Sequence, residues 1–241
     1  MRVTRQIVGE KFEYTRTRWI EQALQILPAD STLLDVGAGE CANRPFCAHL
    51  KYTSQDIAEY DGSGDGKGLQ TGGFDFSKID IVCDLLDIPE DTKYDAVLLT
   101  EVLEHVPDPV ASLMKVCRLL KPGGMLILTA PFCSLTHFAP HFYCTGFSSY
   151  FYSHHLKNAG LDIVEMTPHG GYFDWISHEV GRVQRVYRQY AGKRLGFFGK
   201  AQLWLTRALL RRIAKQEQTF SGEPTSELLT NGYFVRAVLA P

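Results

Sequence analysis

An apolar run that meets a carboxylate and then two close glycines, Leu33-Leu34-Asp35-Val36-Gly37-Ala38-Gly39-Glu40, is the stretch of this sequence best suited to chemistry. A strand that ends at Asp35 and turns through Gly37 and Gly39 leaves a floor of bare backbone, where a ligand can lie that side chains would block. Gly37 through Ala42 also satisfies the permissive GxGxxA form of the dinucleotide fingerprint. Dinucleotide sites hold a pyrophosphate against the helix N-terminus that follows, and the carboxylates of Asp35 and Glu40 would repel it. A cationic or zwitterionic ligand fits this turn better.

Acids recur at later strand ends. A second strand over Lys51 to Gln55 ends at Asp56, about 20 residues beyond the turn, where a carboxylate can accept hydrogen bonds from both hydroxyls of a ribose. A third, Asp80 to Cys83, runs into Asp84-Leu85, and a fourth, Asp95 to Thr100, ends at Glu101. Leu120-Lys121-Pro122-Gly123-Gly124 then precedes a fifth, Met125 to Thr129. Each acid alone also reads as an Asx-turn or a helix N-cap. Taken in order along residues 13 to 168, the set resembles the motifs of the class I S-adenosylmethionine-dependent methyltransferases. S-adenosylmethionine carries a sulfonium and an α-ammonium but no phosphate, which suits the turn. The resemblance implies Asp35, Gly37, Gly39, Asp56, Asp84, Leu85 and Glu101 as cofactor-binding residues, with Asp84-Leu85 facing the adenine. It also implies an α/β fold with a seven-stranded, mostly parallel Rossmann-like methyltransferase sheet, order 3-2-1-4-5-7-6 with the final strand antiparallel, and helices on both faces.

The chemical centre is expected after the fourth strand, in Thr100-Glu101-Val102-Leu103-Glu104-His105-Val106. Methyl transfer from a sulfonium is an in-line displacement, so it needs alignment above all, and a base only where the nucleophile must lose a proton. His105 is the evident base near neutral pH at this edge, and His141, in the loop after strand five, is expected to assist it. The bland alternative is a histidine satisfied by a backbone or carboxylate hydrogen bond beneath the cofactor. E-x-x-E-H also resembles the metal-binding element of small-RNA 2′-O-methyltransferases and ubiquinone-pathway O-methyltransferases, which implies Glu101, Glu104, His105 and His141 as an alternative ligand set. Because L-E-H-V also occurs widely in metal-free members, the catalytic site expected here is His105 with His141, and no metal.

These residues need a scaffold, and the flanking periodicities describe one. Helices alternate with short apolar runs, the pattern of a sheet covered on both faces. Trp19, Ile20, Ala23, Leu24 and Leu27 lie at helical spacing, so a helix over Phe12 to Ile26, within an N-terminal segment 1–30, precedes the first strand. Asp108 and Pro109 open another as N-cap and first-turn residue. Leu161 to Met166 and Tyr233 to Leu239 are the last two strands. Residues 131–155 are dense in aromatic and histidine side chains, of which His137 and His141 precede the amphipathic stretch from Ser148 and are the better ligand-facing candidates. Where a crossover helix would normally join strands two and three stand Asp61-Gly62-Ser63-Gly64-Asp65-Gly66-Lys67-Gly68 and Gly72-Gly73, which cannot hold a helix. A P-loop fails there at both ends, and a calcium loop lacks its final Glu, with Gly72 in that place, so a flexible surface loop bordering the adenosine pocket is expected.

With 241 residues, 45% apolar and 22% charged, the chain suits one soluble domain spanning 1–241. Nothing approaches the roughly 20 apolar residues of a membrane span, and the first residues lack a signal-peptide core, so a cytoplasmic location is expected. Cys41, Cys47, Cys83, Cys117, Cys133 and Cys144 form no CxxC pair and read as free thiols. Charge is the anomaly. Val180 to Lys215 carries ten Lys or Arg residues and no acid, leaving 15 basic against 27 acidic residues elsewhere. This stretch sits in 169–231, expected as a helical basic cap inserted before the last strand, with Leu203, Trp204, Ala208, Leu209 and Ile213 suggesting an amphipathic helix. Its candidate partners are an anionic membrane surface or a phosphorylated glycolipid, with nucleic acid disfavoured and a homo-oligomer left open.

The function that these residues support is O-methylation of a small molecule, a glycan or a lipid-linked acceptor. An NAD-dependent oxidoreductase is disfavoured because no Tyr-x-x-x-Lys pair is present and the strand-end acids would have no role. A catalytically silent cofactor-binding protein of methyltransferase fold is the third reading.

Overall fold

The computed structural model describes residues 10–217 and 222–241, so the first nine residues of the N-terminal segment lie outside them. Two compact units are formed, one of Arg18–Thr167 with Gly232–Pro241, the other of the described residues of 1–17 and 168–231. The first is built on a sheet. β1 (Thr32–Val36), β2 (Lys51–Asp56), β3 (Ile81–Val82), β4 (Tyr94–Thr100), β5 (Leu120–Pro131), β6 (Leu161–Pro168) and β7 (Gly232–Leu239) lie in the order β3-β2-β1-β4-β5-β7-β6. The sheet is mixed, which corrects the expectation of a mostly parallel one, while the strand order and the antiparallel last strand are as expected. β1 pairs in parallel with β2 and β4, and β4 with β5, whereas β7 enters from the opposite end and pairs antiparallel with β5 from Met125–Val238 to Pro131–Gly232.

Strand alternation sends side chains to two cores. Leu33, Leu98 and Ile127 point to one face, where Ile20, Ala23 and Leu24 of α1 (Glu10–Gln25) cover them. Leu34, Val97, Leu99, Leu126 and Leu128 point to the other, against Leu113 and Val116 of α2 (Pro109–Arg118) and Tyr152 and Leu156 of α3 (Ser149–Asn158). Central strands covered on both faces must be apolar at successive positions, hence the unbroken Val-Leu-Leu and Leu-Ile-Leu runs. α2 opens as its sequence requires, with Asp108 accepting from the Ala111 amide and Pro109 in the first turn. Ser148 caps α3 through the Phe151 amide. Tyr150 of that helix is 81% exposed and Tyr152 fully buried, so the aromatic run divides between surface and core.

The glycine-rich connection from β2 to β3 is an ordered, bonded structure. Asp61 accepts from the amides of Ser63 and Gly64, and Asp65 from that of Lys67, so both carboxylates serve Asx-turns. The loop is pinned to the segment after β5, with Asp65 N donating to Ala139 O, Leu69 N to Thr136 O, and Phe138 N to Leu69 O. Gly64 and Gly68, both at positive φ, bring backbone against backbone, since a side chain would strike the carbonyl oxygens of Ala139 and Thr136. The glycines therefore hold the segment that carries His137 and His141.

The second unit contains α4 (Tyr172–Ala191) and α5 (Phe197–Glu217), which pack on each other across a turn opened by Gly192 in the left-handed conformation. Arg182 pairs with Glu179 at 2.8 Å. Glu217 accepts from the Thr225 amide, and Phe12 packs its ring edge-on against His169. Of the apolar residues at helical spacing in α5, Leu203 and Ile213 are half-buried, but Trp204 and Leu209 are 69% and 58% exposed.

Substitution of Gly64 separates backbone strain from collision. Gly64→Ala meets both, whereas Gly66→Ala, also at positive φ, meets open space. Chemical denaturation should show Gly66→Ala costing about 1 kcal/mol and Gly64→Ala clearly more, about 2–4 kcal/mol. Equal costs would mean that the loop is not held against Ala139.

Candidate active site

The carboxyl ends of β1, β2 and β4 border a cleft of about 360 Å³. Gly37, Gly39, Asp56, Asp84, Leu85, Glu101, His105 and His141 all line it, so eight of the nine site residues that the sequence implies come together. Asp35 does not line it. Its side chain is fully buried beneath the turn and accepts a 2.7 Å hydrogen bond from the Tyr52 hydroxyl. Burial pushes its carboxyl up to about 7, against the lowering effects of Tyr52 and Asn43.

The turn is held by an acid from the next strand. Asp56 accepts from the Gly39 amide at 2.9 Å through one oxygen and from Ala58 at 2.8 Å through the other. Gly37 and Gly39 have φ of 66° and 54°. A side chain at 37 would strike Val102, and one at 39 would press on the Phe74 ring, so part of the demand for glycine is internal packing. Asp84 caps the short turn Leu85–Asp87 through the Leu86 amide. Glu101 sits at a positive φ of 55°, rare for a side-chain-bearing residue, and accepts from the Thr129 hydroxyl. Tyr60, Phe74, Phe76 and Phe138 supply apolar walls that spacing did not indicate, and Gln55 adds an amide.

His105 lies in the turn Leu103–His105 after β4. Its Nδ1 donates to the His141 carbonyl oxygen at 2.5 Å, so in the neutral ring the lone pair is on Nε2. Its ring stacks on Phe138 at 5.1 Å, and Phe138 stacks on Tyr60 at 4.5 Å. Burial, then the neighbouring His137, push its pKa down to about 4, so the imidazole is neutral near neutral pH. His105 Nε2 lies 3.7 Å from Oε1 of the buried Glu104, and His137 Nε2 lies 4.0 Å from the same oxygen. Glu104, His105 and His137 thus bring one potential metal-ligand atom each within 4.8 Å of the others. In the alternative ligand set, His137 takes the place that the E-x-x-E-H resemblance gives to His141.

A family model described as "Methyltransferase domain" matches residues 9–173. The chain belongs to this methyltransferase family. Among curated relatives, the ubiquinone biosynthesis O-methyltransferase of Dechloromonas aromatica is 33% identical over 118 residues, 47% of this chain and 49% of that protein. The chain thus spans about half the length of the curated relatives that it matches at such extent. Among solved structures, phosphoethanolamine N-methyltransferase 2 of Haemonchus contortus, in complex with S-adenosyl-L-methionine, superposes with a TM-score of 0.53 at 17% identity, covering 98% of this chain and 57% of that one. N-methyltransferase NodS of Bradyrhizobium japonicum gives 0.53 at 13% identity, covering 96% and 98%. At such identities these structures share the fold.

The cofactor of this methyltransferase is S-adenosylmethionine, and the cleft's own chemistry fits it. Its polar lining is acidic, with Asp56, Glu59, Asp84 and Glu101, which suits a sulfonium, an ammonium and ribose hydroxyls and opposes a pyrophosphate. Leu85, Ile57 and Phe76 offer flat apolar surface for a base.

The buried Asp35 gives a measurable pH signature. Between about pH 4 and about 7 the folded chain keeps a proton that the unfolded chain has lost, so stability falls as pH rises through that window. Asp35→Asn removes this slope and keeps an acceptor for Tyr52. Denaturation midpoints should therefore show the variant gaining on the parent as pH rises, by on the order of 2–4 kcal/mol at pH 8. A constant difference across the window would mean that Asp35 is ionised in the folded chain.

Proposed function

We propose that this chain methylates an oxygen nucleophile of a small molecule or glycan, lipid-linked acceptors included, with His105 as the base and His141 as its positioning partner. The observation that carries this reading is His105 itself, neutral, tethered through Nδ1 to the His141 carbonyl and part of the cleft lining. A neutral imidazole can take the proton of a hydroxyl as the oxygen attacks, and the stack on Phe138 fixes the ring plane. When bound, S-adenosylmethionine supplies an electrophilic methyl group on sulfur. Asp56 is placed to accept from ribose hydroxyls, Asp84 and Leu85 to border the adenine, and Glu101 to face the cationic end, while Asp35 supports the turn from below. The aromatic walls suit a sugar or a ring-bearing acceptor. The D. aromatica relative, named as an O-methyltransferase, supports oxygen as the nucleophile. We further read residues 169–231 as an insertion within one methyltransferase domain, since β7, the strand between β5 and β6, is supplied only at 232–239.

A second reading has a specific observation behind it. An imidazole lone pair that faces a buried carboxylate at 3.7 Å is stabilised by a cation between them, and His137 adds a third donor. A divalent ion held by Glu104, His105 and His137 would act as a Lewis acid on vicinal hydroxyls.

Turnover decides between them. With candidate acceptors screened by the mass gain of one methyl, His105→Ala should lower kcat roughly 10²- to 10⁴-fold with cofactor affinity little changed. Undiminished turnover would reduce His105 to a packing residue. Under the base reading, chelator leaves the parent enzyme unaffected and His137→Ala costs far less than His105→Ala. Activity that collapses on chelation, returns with a divalent ion and is lost equally in His137→Ala would establish the metal reading instead.

A further inference from the structure

We propose that the turn between α4 and α5, with the solvent face of α5, is a docking element for the anionic phospholipid surface of a bilayer. Phe197 and Phe198 begin α5 and are 81% and 82% exposed, in edge contact with each other at 5.8 Å. Two adjacent phenylalanine rings this far in water are costly for a soluble surface. Lys193 and Arg194 just before them in the chain and Lys200 just after are all exposed, so an apolar tip is flanked by cations on both sides in sequence.

The same chemistry continues along the helix. At 100° per residue Phe197, Trp204, Arg211 and Lys215 fall on one face, with Leu205 and Arg212 beside it. Trp204 and Leu205 are 69% and 59% exposed, so this is not the face that packs, which carries the buried Ala214 and half-buried Leu203 and Leu210. From Val180 to Gln216 the sequence contains no acid. Apolar and aromatic groups inserted at the headgroup boundary, ringed by Lys and Arg that meet lipid phosphates, are the physical signature of an interfacial helix.

Charge decides the occupant. A second copy of the chain would set this basic face against itself in a two-fold interface, with like charges in register and no acid to offset them. Nucleic acid would use the cations and aromatic rings but leave Leu205 and Leu209 in water. A bilayer of anionic lipid satisfies both halves of the face.

The test is co-sedimentation of the full chain with vesicles of equimolar phosphatidylglycerol and phosphatidylcholine, and with phosphatidylcholine alone, across a salt series. The parent should bind the anionic vesicles, release them as salt rises, and ignore the neutral ones. Phe197→Ser with Phe198→Ser, and separately Lys193→Glu with Arg194→Glu, should each weaken binding about tenfold or more, with thermal unfolding unchanged because all four residues are exposed. Absence of binding at low salt, equal binding to neutral vesicles, or undiminished binding by both variants would overturn the proposal. So would light scattering that shows a dimer abolished by the phenylalanine variant without any vesicle binding, or retention on duplex DNA by a chain that ignores vesicles. None of these readouts depends on methyl transfer, so the docking proposal and the O-methylation reading fail separately.

Discussion

The carboxylate of Asp56 holds the site together. One oxygen receives the Gly39 amide from the turn after β1, and the other receives the Ala58 amide from the chain leaving β2. Two loops that leave adjacent parallel strands in the same direction have no ladder to bind them beyond the strand ends, and a bidentate acceptor replaces it. With the loops fixed, Gly37 and Gly39 keep their left-handed conformation, Val102 and Phe74 pack into the space left by the missing side chains, and the cleft opens between them. The same side chain lines the cleft, so the scaffold contact and the cleft wall meet in one residue.

The opposite wall is assembled from distant sequence by a comparable device. The glycine-rich loop binds the 136–139 segment through backbone hydrogen bonds, Phe138 of that segment stacks between Tyr60 and His105, and the His141 carbonyl orients the His105 ring. Glycines that looked like a weakness in the sequence are what permit this close approach. Three ring planes and one hydrogen bond then leave His105 little freedom, which is what the proposed base role would require.

Much of this was readable in advance because the relevant signals are local. Apolar runs located the strands, Asp108-Pro109 located α2, and the acids at strand ends marked the cleft because the carboxyl edge of parallel strands is where ligands bind. Direction and depth were not readable from spacing. A hydrophobic run is the same read parallel or antiparallel, so the antiparallel β7 was expected from the family resemblance alone. Asp35 belongs to the right motif yet points under the turn, since alternation along β1 places it on a buried face with Tyr52. His137, rather than His141, brings its ring to Glu104 because the chain turns sharply through Phe138, at a positive φ of 54° that no pattern announces. In α5 the helical period identified a stripe, but a period cannot say which side meets water, and Trp204 and Leu209 proved to be outside.

The central claim is that the acidic cleft at the strand ends holds a cationic nucleoside ligand. Titration calorimetry of the parent chain with S-adenosylmethionine, its demethylated product and NAD, repeated on Asp56→Asn, tests it directly. The structure predicts binding of the first two, none of NAD, and an affinity for S-adenosylmethionine lowered by about 1–3 kcal/mol when Asp56 loses its charge. Binding of NAD in preference, or S-adenosylmethionine affinity unchanged in the variant, would contradict it.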